Sequence, residues 1–287
     1  MNENLRFKIF DAHIHTFGTF LDKNEDLISY LDKNNVEKAI ITTINRAVSS
    51  RIYSHKDNEN IQKDMENDKL VKAFEKMKES MPKDQLNHQD VIDIARSAPE
   101  RFLKFFWFNP NVQDEEKNYK ILENHFNMGF CGVKIHSGIH LIKIPRDILK
   151  LIEFMQNYDK SYPLFIHYTP KFTAFGGISS KDIAKLASAH PELKIIIGHA
   201  ALAMELAVDL SLNLRRYPNV FFETSCSIPY GILTLIRNIG YKRIIFGSDS
   251  PVTNPLKLEI DKILSLPIND EKKQAIFYNN VLSLVGY

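Results

Sequence analysis

Two imidazoles stand two residues apart near the start of the chain, in Asp11-Ala12-His13-Ile14-His15. Side chains two apart on a strand point to one side, so His13 and His15 can reach a common ion if this stretch is extended. Neutral imidazole is a good ligand for zinc and other divalent transition metals. A His-x-His alone is weak, because such pairs often occur with no ion between them. The weight comes from where other chemistry-bearing residues fall. Apolar runs end in Val133-Lys134-Ile135-His136, in Leu164-Phe165-Ile166-His167 and in Ile197-Gly198-His199, and a fourth runs into Phe246-Gly247-Ser248-Asp249. A packed core histidine would explain any one of these positions. Several histidines and an aspartate at the ends of such runs are a poor match to coincidence. The other histidines (His55, His88, His125, His140 and His190) lie in helical or loop stretches and read as solvated bystanders.

Those ends need a scaffold that gathers them. Eight short runs rich in β-branched and aromatic residues recur, at 8–13, 38–42, 102–108, 131–136, 163–167, 194–199, 220–223 and 243–247. Most are continuously apolar, as strands covered on both faces are. Between them, 147–156, 179–189 and 232–239 carry helical periodicity. Ser179 and Ser180 are placed to cap the second of these, and Gly240 to stop the third. Strand and helix alternating eight times over this length predict an α/β protein, a single (β/α)8 barrel spanning 1–287. Catalytic groups then belong at the C-terminal ends of the strands. Residues 46–87 exceed what the alternation needs. Ile61, Met65, Leu70, Val71, Phe74 and Met77 are near helical spacing there, so a helical insertion after strand 2 is expected, serving either as a lid or as a solvated surface segment.

Composition narrows the partners. The 287 residues are 44% hydrophobic and 25% charged, with a formal net charge of +2. That balance makes no electrostatic case for nucleic acid or an anionic membrane. No apolar run approaches the roughly 18 residues of a membrane span. Cys131 and Cys226 offer no disulfide framework, and the N-terminal residues do not read as a signal peptide, so the cytoplasm is the expected compartment. A small-molecule substrate is expected, and a homo-oligomer stays open.

The set of His-x-His on strand 1, histidines ending strands 5 and 6 and an aspartate after strand 8 resembles the amidohydrolase superfamily. Gly129-Phe130-Cys131-Gly132-Val133-Lys134-Ile135-His136 and Tyr278-Asn279-Asn280-Val281-Leu282 resemble segments of its amidohydrolase-2 branch, which includes predicted metal-dependent hydrolases and decarboxylases related to aminocarboxymuconate-semialdehyde decarboxylase. The similarity runs through the chain except 46 to about 87. It implies one divalent ion, zinc first, held by His13, His15, His167 and Asp249. Asp249 would also relay a proton from a metal-activated water, and His199 would polarise the substrate or act as acid and base. A second ion, held with His199 and a carboxylated Lys134, is the alternative arrangement. In the preferred one-ion form Lys134 binds a substrate carboxylate or carbonyl, although a lysine at a barrel end also pairs with structural acids.

His136 and Trp107 are expected to line the pocket. Phe17, Phe108, Tyr168, Phe172 and Tyr230 could wall it or simply pack loops, and Arg46, Glu223 and Thr224 could contact substrate. Phosphoesterases that share the first motif carry Asp-x-His near the end, where this chain has Asp249-Ser250-Pro251. Related deoxyribonucleases carry a strand-4 glutamate, where this chain has Lys134. The expected activity is metal-dependent hydrolysis of a small amide, ester or lactone. Non-oxidative decarboxylation of a small aromatic or unsaturated acid is the rival, and a metal-free binding protein on a degenerate barrel is the non-enzymatic alternative.

Overall fold

In a computed structural model, which describes residues 6–44, 85–158, 162–171 and 177–286, eight strands pair in chain order. They are β1 (Phe10–His15), β2 (Lys38–Thr42), β3 (Phe102–Trp107), β4 (Phe130–His136), β5 (Leu164–His167), β6 (Ile195–Gly198), β7 (Val220–Glu223) and β8 (Ile244–Ile245). Every pairing is parallel. The seam between first and last strands closes through a parallel bridge of Ile14 to Ser250. There the His15 amide donates to the Ser250 carbonyl at 2.8 Å and the Asp249 amide to the His13 carbonyl at 2.7 Å. The result is the (β/α)8 barrel that the alternation predicts.

Helices α1 (Leu27–Lys33), α2 (Gln89–Ser97), α3 (Glu115–Asn127), α4 (Leu149–Asn157), α5 (Ser180–Ala189), α6 (Met204–Leu214), α7 (Pro229–Ile239) and α8 (Leu256–Leu264) fill the connections. Their ends follow local rules. Asp26 and Asp114 accept amide protons at the starts of α1 and α3, and Ser179 forms a capping box with Asp182 at α5. Gly240 ends α7 at φ 93°, a conformation that costs glycine nothing. The expected insertion at 46–87 lies outside the described residues as far as 84.

Strand alternation splits the apolar residues in two. Ile41, Val133, Ile166, Ile197 and Phe222 pack with the helices, while Phe10, Ile40, Phe105, Phe165, Ile196 and Ile245 form a second cluster within the strands. Tyr278, Val281 and Leu284 from the C-terminal turns join that inner cluster and cover one end of the barrel. Its rings need room. A Cβ on Gly198 would lie 2.6 Å from the Phe165 ring, and one on Gly132 would overlap the Phe105 ring.

Two histidines read as solvated are in fact buried, His88 at 2% and His140 at 5% exposure. His88 Nδ1 donates to the Leu86 carbonyl at 2.9 Å, and its Nε2 accepts the Trp107 amide at 2.8 Å while the ring stacks on Phe106. It therefore fixes the end of β3, which sequence position alone could not reveal. Burial lowers His88 to about 3 and His140 to about 4 from the usual 6.5. Between about pH 4 and 6.5 each is neutral when folded and charged when unfolded, so unfolding takes up protons and stability falls as pH falls. Each group contributes a slope of about 1.4 kcal/mol per pH unit. Urea titrations between pH 6 and 5 should show His140→Gln flattening the acid-side loss by that amount. An unchanged slope would mean that His140 already titrates normally in the folded protein.

Candidate metal centre and active site

The strand register assembles the site at the C-terminal ends. Trp107 lies opposite Lys134, Lys134 opposite Phe165, and His136 opposite His167. On β1 the register shifts between Asp11 and Ile14. Simple alternation from Phe10 and Ala12, both in the inner cluster, would send His13 and His15 outward. The irregularity changes the phase, so that Ile14 packs in the outer layer and both imidazoles turn to the axis. Asp11 braces this bulge. Its Oδ1 accepts the His13 amide at 2.9 Å and the Ser248 amide at 3.0 Å, tying β1 to the segment after β8. Burial raises Asp11 to about 8.

His199 and Asp249 stand just past β6 and β8 in left-handed conformations, at φ 58° and 53°. Backbone of that kind outside glycine clusters at functional sites, where the surroundings must enforce it. One donor atom from each of His13, His199 and Asp249 lies within 4.8 Å of the others, and all three residues are buried. Asp249 Oδ1 is 3.1 Å from His13 Nε2 and 3.0 Å from His15 Nε2. Lys134 Nζ approaches the same two nitrogens at 2.6 and 3.1 Å. His167, an expected ligand, stacks on His136 at 3.6 Å and places Nδ1 3.0 Å from His199 Nε2.

The proton inventory shows what this arrangement is fit for. Burial, then the Lys134 charge, lowers His13 to about 4 and also lowers His15. His136 and His167 are held well below 6.5 by burial. These rings are neutral, with one N–H each. His15 Nδ1 must spend its proton on the Thr43 carbonyl at 3.0 Å, which leaves a lone pair on Nε2. Burial opposes charge on Asp249, but His13, His15 and His199 around it hold the carboxyl well below the carboxylate range. Imidazole lone pairs and an ionised carboxylate thus converge on one point, an arrangement that needs a cation. Lys134 supplies one here, although burial lowers it to about 8. A divalent ion fits the same donor set.

The remaining expectations divide. Trp107 and His136 are in place: their rings stack at 5.8 Å and 10°, and Lys134 Nζ sits 4.6 Å from the Trp107 centroid. Trp107 Nε1 is buried with no hydrogen-bond partner. Phe108 belongs to the outer core, Tyr168 is buried, and Phe17 and Tyr230 are 39% and 56% exposed. Arg46 and Phe172 fall outside the described residues. Glu223, read as a substrate contact, is fully buried and hydrogen-bonds Ser225 and the His199 amide, and Thr224 is buried beside it. Ser225 was missed, since a serine two residues past a strand carries no signal of its own. Its Oγ lies 2.9 Å from His199 Nδ1 and 3.4 Å from His13 Nδ1.

Among solved structures, the 5-carboxyvanillate decarboxylase of Sphingomonas paucimobilis aligns with TM-score 0.64 and 14% identity, covering 98% of this chain and 99% of its own. A dihydroxybenzoic acid decarboxylase from Polaromonas, with bound manganese and the inhibitor 2-nitroresorcinol, aligns with TM-score 0.60 and 16% identity over 98% and 97%. A probable 2-pyrone-4,6-dicarboxylic acid hydrolase from Acinetobacter baumannii, with citric acid bound, aligns with TM-score 0.61 and 15% identity over 98% and 100%. At such identities the likeness is one of fold. No curated protein matches the sequence. The amidohydrolase family profile matches residues 63–286. That span takes in part of 46–87, which the sequence reading left outside the resemblance, and stops short of β1. It covers well over half of the sequence, and the chain belongs to the amidohydrolase family.

Proposed function

We propose that the protein is a metal-dependent hydrolase of a small, planar, anionic carbonyl compound. The observation that carries this reading is the convergence of His13 Nε2, His15 Nε2 and the ionised Asp249 carboxylate on one buried point. His13, His15 and Asp249 would hold the ion, with a fourth ligand from the hydrogen-bonded His167–His199 pair and the other member free for proton transfer. Zinc is the first candidate for an imidazole-rich set, and manganese, present in the Polaromonas relative, is the second. When bound, such an ion supplies Lewis acidity to a carbonyl and acidifies water.

The protein's own groups take the other roles. An ionised Asp249 can accept a proton but has none to give, which suits removing one from an attacking water. Lys134, buried and cationic below about pH 8, offers a charge-assisted bond to a substrate carboxylate. The parallel rings of Trp107, His136 and His167 form a flat wall beside it.

Decarboxylation is the second reading, favoured by that wall next to a cation and by the two aromatic-acid decarboxylases among the structural relatives. Metal-loaded protein would be assayed with 2-pyrone-4,6-dicarboxylate, 5-carboxyvanillate and 2,6-dihydroxybenzoate in H2(18)O and in D2O. Oxygen-18 entering a product carboxylate marks hydrolysis. Release of carbon dioxide with deuterium placed on carbon marks decarboxylation and overturns the first reading. Binding without turnover of any of the three, by a protein that takes up no metal, would favour the non-enzymatic alternative.

A further inference from the structure

Behind the converging lone pairs lies a group that neither the family match nor the structural relatives assign. Glu223, at the end of β7, is fully buried. Its Oε1 accepts the Ser225 amide at 2.5 Å, and its Oε2 accepts the His199 amide at 3.1 Å and the Ser225 hydroxyl at 2.7 Å. Gly247 on the neighbouring segment leaves it room, because a Cβ there would collide with Oε1. A carboxylate is acceptor-only, so the single hydroxyl proton of Ser225 is committed to Glu223. The Ser225 lone pairs then face His199 Nδ1 at 2.9 Å and His13 Nδ1 at 3.4 Å. Glu223 Oε2 itself lies 3.5 Å from His13 Nδ1.

We propose that Glu223, acting through Ser225, is a shared positioning carboxylate that fixes both His13 and His199 in the Nδ1–H tautomer and so makes both Nε2 atoms lone-pair donors, His13 toward the point shared with Asp249 and Lys134 and His199 toward His167 Nδ1, 3.0 Å away. This rests on the metal-site reading above and adds to it a residue from β7, a strand that contributes no ligand. One buried anion then orients two imidazoles from opposite sides of the seam. Outer partners of this kind fix ring orientation and raise ligand basicity.

Glu223→Gln reverses the chain of donors. Its amide can donate to Ser225 Oγ, whose proton then turns to His199 Nδ1 and drives that ring to the Nε2–H tautomer. The test has two readouts. Manganese affinity, from the electron paramagnetic resonance of free Mn2+, should weaken about ten- to a hundredfold in Glu223→Gln. Nitrogen-15 spectra of histidine-labelled, metal-free protein should show His199 changing tautomer. Ser225→Ala should weaken Mn2+ less, because Glu223 still faces His13, and Ser225→Thr, which keeps the hydroxyl, should preserve both readouts. Should Glu223→Gln fail to fold, as judged by circular dichroism, the serine pair carries the test: equal affinity and equal tautomers in the two overturn the proposal.

An unchanged His199 tautomer in folded Glu223→Gln overturns the relay whatever happens to affinity. A changed tautomer with Mn2+ affinity within twofold of wild type overturns its consequence for the centre. If wild-type protein binds neither Mn2+ nor Zn2+, the metal reading fails by itself, and the tautomer measurement still decides the relay.

Discussion

Asp249→Asn lowers kcat by about a hundred- to ten-thousandfold, the range expected when a positioned proton acceptor is lost, and depletes the metal, while the fold survives. Asparagine is the informative replacement because residue 249 sits at φ 53°, where Asn is tolerated and alanine is strained. The amide is nearly the size of the carboxylate but carries no charge to balance a divalent ion and accepts no proton at neutral pH. It also leaves the point on which His13 Nε2 and His15 Nε2 converge, 3.1 and 3.0 Å from Oδ1, without its only carboxylate donor among the proposed ligands. Elemental mass spectrometry on protein purified without chelators, set beside circular dichroism and turnover, checks all three consequences. Metal content equal to wild type in Asp249→Asn would remove Asp249 from the ligand set. His13→Ala should deplete metal in the same way.

Lys134→Met weakens substrate binding by about thirty- to several-thousandfold, the 2–5 kcal/mol expected when one partner of a buried charge pair is removed. Methionine keeps most of the volume beneath Trp107 and Phe165, whose ring centroids lie 4.6 and 5.4 Å from the ammonium, so the loss reports charge more than packing. The same variant separates the two roles of the lysine. In the one-ion arrangement Lys134→Met raises KM or Kd for an anionic substrate and leaves about one metal per chain. In the two-ion arrangement, with a carboxylated Lys134 as a bridge, wild type holds about two metals and the variant loses one. Trp107 is the only tryptophan in the chain and borders this lysine, so its fluorescence reads ligand binding directly. An anionic ligand that quenches Trp107 equally in wild type and Lys134→Met would show that the lysine does not hold it.

The scaffold was legible because its signals are local. Runs such as Ile195-Ile196-Ile197-Gly198 can be read as buried strands from composition alone, and parallel pairing in chain order follows from the helices between them. Boundaries moved by a residue or two. β1 begins at Phe10 and extends to His15, and the stretch from 147 opens with a short 3-10 turn, Arg146–Ile148, before α4. The site was legible to the extent that residues at strand ends must converge in a barrel. His13, His15, His136, His167, His199 and Asp249 do meet there, with Lys134 and Trp107 among them.

Burial and partnership were not legible. His88 and His140 read as solvated because helix and loop positions are usually exposed, yet tertiary packing encloses them. Glu223 ends a strand where a contact to substrate was one option, and the His199 amide and the close approach of Gly247 enclose it from the neighbouring segments.

From the sequence alone came the eight strand–helix alternations, the family resemblance and the residue types that can hold a divalent ion. These depend on periodicity and chemistry, which each segment carries by itself. Only the tertiary structure decided that a bulge in β1 turns His13 and His15 inward, that Lys134 and Asp249 both meet their Nε2 atoms, and that Ser225 joins two imidazoles to Glu223. Each of those facts is a distance between residues far apart in the chain, set by strand register and barrel closure rather than by any local preference.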